Sequence, residues 1–184
     1  MPKRNQGTSN SAGDKKLLPQ KTDEDSSKSE VKIREMKREE ASKTAQLVAR
    51  LKRLNGEFDP LLKTTDSLED EARKVVEKAS SSPDSIVLIA VAGSKIVGVV
   101  KAEIKDRTFY EPRKEGAIDE FYILPEYRRG SLGRDLLSTM TEALKKRGAE
   151  LITAEFPSQN EIAKRFYTKL GFRSLTNVYA KAES

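Results

Sequence analysis

The longest apolar run of the chain covers residues 86–92 and lies inside a β-hairpin pattern. The strand pattern covers residues 85–91, Gly93 lies in the short turn that follows, and residues 95–105 form a second β-rich run. Two such runs around a glycine turn predict an antiparallel hairpin. Seven apolar residues are too few to cross a bilayer, which needs about 20. The run therefore predicts the centre of a sheet and not a membrane segment.

Helical and strand patterns alternate on both sides of this hairpin, in the order β-α-α-β-β-β-α-β-α-β. Strand patterns cover residues 31–36, 85–91, 95–105, 117–124, 151–156 and 172–180, and helical patterns cover residues 38–55, 66–79, 131–147 and 160–170. Gly56 is placed to end the first helix. Residues 66–69 resemble a capping box that opens the second helix. The pattern predicts one α/β (α+β) domain over residues 31–184.

The first 30 residues do not show such periodicity. They contain only four hydrophobic residues, so little apolar surface is available to offset the entropy lost on ordering. We expect a disordered polar tail over residues 1–30, the alternative being a nucleic-acid-binding or localisation arm. The chain begins Met-Pro-Lys-Arg and stays polar, without a secretory apolar region, so we expect a cytoplasmic protein with no membrane partner.

The chain contains neither cysteine nor histidine. This excludes a disulfide framework, a zinc finger, a cysteine nucleophile and a Ser-His-Asp triad, and we expect no metal. Any acid–base chemistry must use carboxylates, lysine, tyrosine or water. The net charge of +6, from 35 basic and 29 acidic residues, permits an anionic partner but selects none.

The most informative stretch follows the strand pattern at residues 117–124. Pro125 ends this strand, and the small residues Gly130, Ser131 and Gly133 precede or open the next helix. Backbone N–H groups at a helix start lack partners within the helix, and the helix dipole there favours an anion. Three arginines add positive charge, namely Arg128, Arg129 and Arg134. The pattern predicts a phosphate or pyrophosphate site, the alternative being an ordinary strand-to-helix turn with surface arginines.

This stretch resembles the pyrophosphate-binding signature of the GNAT superfamily of N-acetyltransferases, Gln/Arg-x-x-Gly-x-Gly/Ala. The six positions of the signature correspond to Arg128, Arg129, Gly130, Ser131, Leu132 and Gly133. Ser131 stands where the family usually has its first glycine. If that position needs a positive φ, serine costs about 1–2 kcal/mol there, and we expect Gly130 to adopt the permissive dihedral instead.

A second block, residues 160–172, resembles the C-terminal motif of the same superfamily, Asn-x-x-Ala-x-x-x-Tyr-x-x-x-Gly-Phe. Helical spacing predicts one face with Asn160, Ala163, Lys164 and Tyr167. Another, apolar face is predicted to contain Ile162, Phe166 and Leu170. Taken alone, Tyr167 could simply pack in the core. Together the two blocks extend the resemblance over residues 31–180.

The resemblance implies the GNAT acyl-CoA N-acyltransferase fold, a mixed, mostly antiparallel sheet of about six strands with strands four and five splayed apart. It implies acetyl-CoA as co-substrate, bound between these two strands. The pantetheine arm would bind the fourth-strand backbone and Asn160, and the pyrophosphate would bind the loop. The residues expected to bind the cofactor are Phe121, Tyr122, Ile123, Arg128, Arg129, Gly130, Ser131, Leu132, Gly133, Arg134, Asn160 and Tyr167.

An amine must lose its proton to attack a thioester, so a general base is needed. We rank Glu155 first, because residues 155–160 are similar to a segment of ribosomal-protein N-terminal acetyltransferases in which the glutamate is the base. Pro157 replaces the arginine usual there. Glu120 ranks second, and strand alternation places its neighbour Asp119 on the opposite face. Each carboxylate could instead be solvated or salt-bridged.

Tyr167 is assigned as the general acid that protonates the leaving thiolate, and a backbone N–H near Ile123 is expected to hold the oxyanion. We expect direct transfer, since the chain has no cysteine to carry an acyl group. The resemblance favours a protein or peptide acceptor with an N-terminal or lysine amine. The alternatives are a polyamine or amino-sugar acceptor, or a non-catalytic acyl-CoA-binding regulatory module. We expect a monomer or homodimer and no nucleic-acid partner.

Six acidic residues and one lysine lie within residues 56–71, between the first two helices. An acidic segment would attract a cationic amine, although acids at a helix start are also favoured structurally. Three loop aromatics could line the acceptor pocket or cover the core, namely Phe58, Phe109 and Tyr110.

Overall fold

The computed structural model describes residues 30–182, so the predicted disordered tail lies outside the described residues except for Glu30. Within this range the strands are β1 Val31–Glu35, β2 Ser85–Ala92, β3 Lys95–Asp106, β4 Lys114–Ile123 and β5 Leu151–Ala154. The helices are α1 Ala41–Phe58, α2 Leu68–Ser81, α3 Leu132–Lys146 and α4 Glu161–Lys169. None of these helices is long and apolar enough to span a membrane.

The five strands form one mixed sheet in the order β1-β2-β3-β4-β5. All neighbours are antiparallel except β4 and β5, which are parallel. The predicted hairpin is confirmed: β2 and β3 pair across a turn in which Gly93 has φ +60°. One buried apolar cluster joins α1 and α2 to the sheet, and a second joins α3 and α4 to it. The fold class is therefore the predicted one.

A β-bulge interrupts the pairing of β3 and β4. Lys101 lies opposite Glu120, whereas Ala102 lies opposite Ile118, so Asp119 is the additional residue. Because a bulge changes the alternation of side chains, Ile118 and Phe121 both pack with α3 and α4 although they are three residues apart. The prediction of opposite faces for Asp119 and Glu120 is wrong for the same reason, since both carboxylates belong to one charged cluster with Lys101.

The parallel pairing of β4 and β5 is short. It runs from Glu115 opposite Leu151 to Ile118 opposite Ala154. Beyond this point β4 continues to Ile123 with no strand on that side in the described part of the chain. The predicted splay of the two strands is confirmed. We call the opening between residues 119–123 of β4 and the chain after Ala154 the β4–β5 wedge.

The strand predicted over residues 172–180 is absent from the structure. Phe172 packs against Tyr167, but Val178 and Tyr179 are 94% and 91% exposed. Residues 172–180 pair with no strand in the described range, and an extended segment without a neighbouring strand has no ladder hydrogen bonds to stabilise it. The sheet therefore has five described strands and not six. β5 also ends two residues before its predicted end.

Two predicted helix boundaries are also wrong. α1 continues through Gly56 to Phe58. At Gly56 a Cβ would lie 3.2 Å from the backbone oxygen of Leu62, so the glycine permits a close approach of the following loop and does not end the helix. α2 begins after Ser67 without a side-chain capping bond, so the predicted capping box at residues 66–69 does not form.

Candidate active site

The connection from β4 to α3 follows the predicted sequence of strand, proline, small residues and helix. A single 3₁₀ turn, Pro125–Tyr127, follows the strand. Gly130 has φ +108°, while Ser131 has φ −89°. The expectation that Gly130 adopts the permissive dihedral is therefore confirmed, and Ser131 incurs no left-handed penalty. The loop keeps a glycine where its backbone needs one.

The start of α3 presents unpaired backbone donors. Within the described part of the chain, the N–H groups from Arg129 to Arg134 donate to no acceptor. Ser131 does not cap the helix with its side chain; its Oγ donates to Oδ2 of Asp135 at 2.6 Å. Gly133 keeps the helix close to Phe166, because a Cβ there would lie 3.4 Å from that ring. We call these six N–H groups the α3 cradle; they can bind an anion.

The three arginines beside the α3 cradle differ in their contacts. The Nε of Arg128 donates to the carbonyl oxygen of Ile123 at 2.8 Å, and its guanidinium lies 5.2 Å from the ring centroid of Tyr122. Arg128 is thus directed to the end of β4. Arg129 and Arg134 are exposed and form no ion pair with any described residue. They are the cations available to an anion at this site.

Some backbone N–H and C=O groups of β4 point into the wedge. The N–H of Leu124 donates to the carbonyl of Val97 at 2.9 Å, on the side of β3. Because hydrogen-bonded positions alternate along an antiparallel strand, Phe121 and Ile123 direct their N–H and C=O groups to the open side. The carbonyl of Ile123 is occupied by Arg128. The remaining groups can bind an extended amide chain.

Asn160 and Tyr167 lie on the other side of the wedge, at α4. Asn160 is the N-cap of the helix, and its Oδ1 accepts from the N–H of Ala163 at 3.0 Å. Tyr167 is 5% exposed, and burial raises the pKa of its hydroxyl well above the usual range. Its ring contacts four aromatic rings, those of Phe121, Phe156, Phe166 and Phe172. At neutral pH the hydroxyl keeps its proton and can donate it.

Glu120 is buried on the α1 side of β4, with 7% of its side chain exposed. Its Oε1 lies 2.8 Å from Nζ of Lys52 on α1, and its Oε2 is buried without a hydrogen-bond partner. Burial raises the pKa of Glu120, while the charge and hydrogen bond of Lys52 act in the opposite direction. A raised pKa and a free oxygen are the properties of a carboxylate that can take up a proton.

The other two acids predicted near the site have different surroundings. Asp119 is ion-paired with Lys101 at 2.9 Å and Lys105 at 3.3 Å. Glu155 lies directly after β5 and not within it, and its side chain is exposed. Its N–H still donates to the carbonyl of Ile118 at 3.2 Å, at the point where the strands separate. Of the three acids, only Glu120 combines burial with an unpaired oxygen.

Most acids of the segment at residues 56–71 form hydrogen bonds or ion pairs with neighbouring residues. Four of its six acids have partners within the segment or on the adjoining helices: Asp59 accepts from the N–H of Leu61, Glu69 pairs with Arg53, Asp70 pairs with Arg73, and Glu71 accepts from Thr65 and Ser67. Phe109 and Tyr110 are 87% and 65% exposed, so they do not cover the core. Within residues 30–182 no group of three or more acids is placed to hold a metal ion.

Sequence reasoning missed Lys52. It lies 68 positions before its partner Glu120, so no local motif links them. One signal was present: Lys101 follows the apolar run at residues 96–100, and Glu120 lies within a largely apolar strand pattern, which indicates buried charges in need of partners.

Comparison of the sequence with known protein families and relatives agrees with the features of this site. The model of the acetyltransferase (GNAT) family matches residues 49–172. A relative from Archaeoglobus fulgidus, described as an uncharacterized N-acetyltransferase, is 28% identical over 87 residues, which is 47% of this chain and 59% of the relative. The matched region thus spans less than two thirds of that relative. The chain belongs to the GNAT family of acetyltransferases, as its motifs predicted.

Solved structures show the same fold at low sequence identity. A transcriptional regulator from Bacillus halodurans superposes with a TM-score of 0.66 at 20% identity, covering 84% of this chain and 100% of that one. An aminoglycoside N-acetyltransferase in complex with CoA gives a TM-score of 0.67 at 16% identity, covering 84% and 95%. An aminoglycoside 6′-N-acetyltransferase from Acinetobacter haemolyticus gives 0.67 at 16%, covering 83% and 98%.

Proposed function

We propose that this chain transfers an acetyl group from acetyl-CoA directly to a primary amine of a protein or peptide, either an N-terminal or a lysine amine. The observation that carries the proposal is the α3 cradle at the end of the β4–β5 wedge. Six unpaired backbone N–H groups, two unpaired arginines and the glycine at position 130 form a site for a pyrophosphate. The open side of β4 offers N–H and C=O groups to the amide-containing arm of the same ligand.

Glu120 is the general base in this proposal. The resemblance of residues 155–160 to a family segment favours Glu155 as the base. Three observations favour Glu120 instead: its burial, its raised pKa and the unpaired Oε2. A base with a raised pKa is better matched to taking a proton from an ammonium group. Glu155 lies in solvent at the mouth of the wedge, where it can contact the acceptor.

The reaction then balances without a further reagent. The acceptor ammonium gives a proton to Glu120, directly or through water. The neutral nitrogen attacks the thioester carbon, the new C–N bond forms, and an N–H group of β4 stabilises the oxyanion. When the C–S bond breaks, the CoA thiolate takes a proton from Tyr167, whose buried hydroxyl is protonated at neutral pH. The new amide nitrogen gives up its second proton, which returns Tyr167 to the neutral form, and the proton on Glu120 leaves to solvent.

The second candidate acceptor is a small amine such as a polyamine or amino sugar. It is favoured by the structural likeness to aminoglycoside N-acetyltransferases. A third possibility, an acyl-CoA-binding module without catalysis, would need the cradle but not Glu120 or Tyr167.

One set of measurements separates the three. Calorimetry with acetyl-CoA should detect binding; no binding at tens of micromolar would contradict the whole proposal. Release of CoA thiol is then measured with four acceptors: a peptide with a free N-terminus and no lysine, an N-acetylated peptide with one lysine, spermidine and an aminoglycoside. Thiol release with either peptide supports the proposal. Release with the small amines alone supports the second candidate, and binding without release supports the third.

Tyr167→Phe tests the proposed acid. The variant keeps the aromatic packing but has no proton to donate, so kcat should fall by about 10²-fold or more with acetyl-CoA affinity unchanged. Phe172→Leu is a control, because it changes a ring contact of Tyr167 and leaves the hydroxyl in place. An unchanged kcat in Tyr167→Phe would remove Tyr167 from the mechanism.

A further inference from the structure

We propose that Lys52 is a positioning residue for the reaction: it holds one oxygen of the Glu120 carboxylate and so leaves the other as the atom that takes the proton. This inference rests on the proposed function of Glu120 and adds a residue that lies outside both sequence motifs.

The two carboxylate oxygens of Glu120 have different surroundings. Oε1 of Glu120 is bound by Nζ of Lys52 at 2.8 Å, whereas Oε2 is buried and accepts no hydrogen bond. A buried carboxylate with both oxygens paired could not readily take up a proton. One with neither oxygen paired would be free to rotate and would lack a compensating charge. A single lysine contact gives the carboxylate a fixed orientation and leaves one free acceptor atom.

Lys52 comes from the helix that faces this part of the sheet, and its side chain is 39% exposed. The amine therefore reaches from the solvent-facing border of α1 to a carboxylate that is itself removed from water. α1 packs on both β3 and β4, so the position of the lysine is fixed by the core beneath it.

The other charged groups around Glu120 cannot replace Lys52. Lys101 of β3 lowers the pKa of Glu120, but its Nζ is bound at 2.9 Å to both Asp119 and Glu103. Asp119 of β4 raises the pKa of Glu120. Lys52 is thus the only cation directly bonded to Glu120 within the described residues. It opposes the effect of burial and keeps the carboxylate ionised to lower pH.

The sign of the pH effect follows from these contacts. The base must be ionised before it can accept a proton, so activity falls as the pH drops through its pKa. When Lys52 is replaced by a neutral residue, burial is less opposed, the pKa of Glu120 rises further, and this fall begins at higher pH.

The experiment compares pH profiles of kcat/KM in four proteins: wild type, Lys52→Met, Lys52→Arg and Lys43→Met. Lys43 is an exposed lysine of the same helix with no ion pair to a described residue, so its variant is the matched control. In Lys52→Met the acidic limb should move to higher pH, with kcat/KM reduced about 10-fold at pH 6 and restored on the alkaline side. Lys52→Arg and Lys43→Met should keep the wild-type limb.

A wild-type acidic limb in Lys52→Met would overturn the inference. Glu120→Gln separates this failure from failure of the proposed base: if Glu120→Gln also keeps the wild-type limb, Glu120 is not the base. If only Glu120→Gln loses it, Lys52 alone is misassigned. Because Lys52→Met leaves a buried carboxylate without its cation, Lys52→Gln serves as a second variant that retains a donor but no charge. A carbon-13 NMR titration of Glu120 in that variant should show the same upward direction, and an unchanged titration would contradict the role.

Discussion

The helices α2 and α3 begin in almost the same way, yet only one of these starts is suited to an anion. Ser67 precedes α2 and Ser131 precedes α3, and neither side chain caps its helix. In both, the serine hydroxyl donates at 2.6 Å to an acid four positions later, Glu71 in one case and Asp135 in the other. In both, the serine carbonyl accepts from that residue's N–H at 3.0 Å.

The difference lies in what surrounds these starts. The first turn of α2 contains three acids, Glu69, Asp70 and Glu71. The start of α3 has Gly130 before it, with φ +108°, and the unpaired cations Arg129 and Arg134 beside it. At the start of α2 the acids interact favourably with the helix dipole and stabilise the helix. At the start of α3 the arginines do not, so the dipole and the N–H groups can interact with an anionic ligand. Helix geometry alone does not define an anion site; the charges and the loop backbone do.

The largest effect should come from giving α3 the charge of α2. In the double variant Arg129→Glu with Arg134→Glu, two charge-assisted contacts are lost and two repulsions are added. We expect the Kd for acetyl-CoA, measured by calorimetry, to rise by roughly 100-fold or more. Reversal of Lys145 and Lys146 at the other end of α3 changes the net charge equally and should leave the Kd within about threefold. Equal losses in both double variants would contradict the assignment of the cradle.

A smaller effect should follow from replacing the glycine at position 130. Gly130→Ala forces an L-residue to φ +108° and should cost about 1–2 kcal/mol of unfolding free energy. Because the loop backbone would shift and its N–H groups would no longer be directed to one site, the Kd for acetyl-CoA should rise by roughly tenfold. Gly93→Ala is the matched control, since Gly93 also has positive φ but lies in the β2–β3 turn. It should lower the melting temperature without changing the Kd, and a Kd change there would undermine the comparison.

The smallest effect should come from the two serines themselves. Ser67→Ala and Ser131→Ala should each change the unfolding free energy by less than about 0.5 kcal/mol, because neither hydroxyl caps its helix and each donates only to a solvent-exposed carboxylate. Asn160→Ala, which removes a side-chain cap that is present, should cost about 1 kcal/mol. Denaturant unfolding of the three variants measures this difference. If a serine variant lost as much stability as Asn160→Ala, its bond to the acid four positions later would stabilise the helix start as much as a cap does.

Features set by local periodicity could be predicted from the sequence. The helix predicted over residues 131–147 is observed as Leu132–Lys146, and the β2–β3 hairpin lies where the apolar runs place it. Gly130 as the permissive residue was expected from the comparison of this loop with the family signature, and it is observed. These features depend on contacts between near neighbours in the chain.

Features set by distant contacts could not be predicted. A strand is predicted over residues 172–180, but a strand also requires a neighbouring edge, which one segment cannot reveal. The bulge at Asp119 depends on the register between β3 and β4, and it decides which acids share a face. The contact of Lys52 with Glu120 depends on the packing of α1 on the sheet. The cradle was therefore predictable, while the surroundings of the base were not.

The aromatic contacts of α4 have a consequence for how a ligand enters. Phe121 of β4 stacks on Phe166 at 5.5 Å between ring centroids, and Phe156, after β5, stacks on Tyr167 at 5.2 Å. The helix α4 thus packs both on β4 and on the chain that follows β5. Because β4 is already unpaired on this side beyond Ile118, a ligand need not separate the strands. We expect little conformational free energy to be lost on binding and association without a slow rearrangement step.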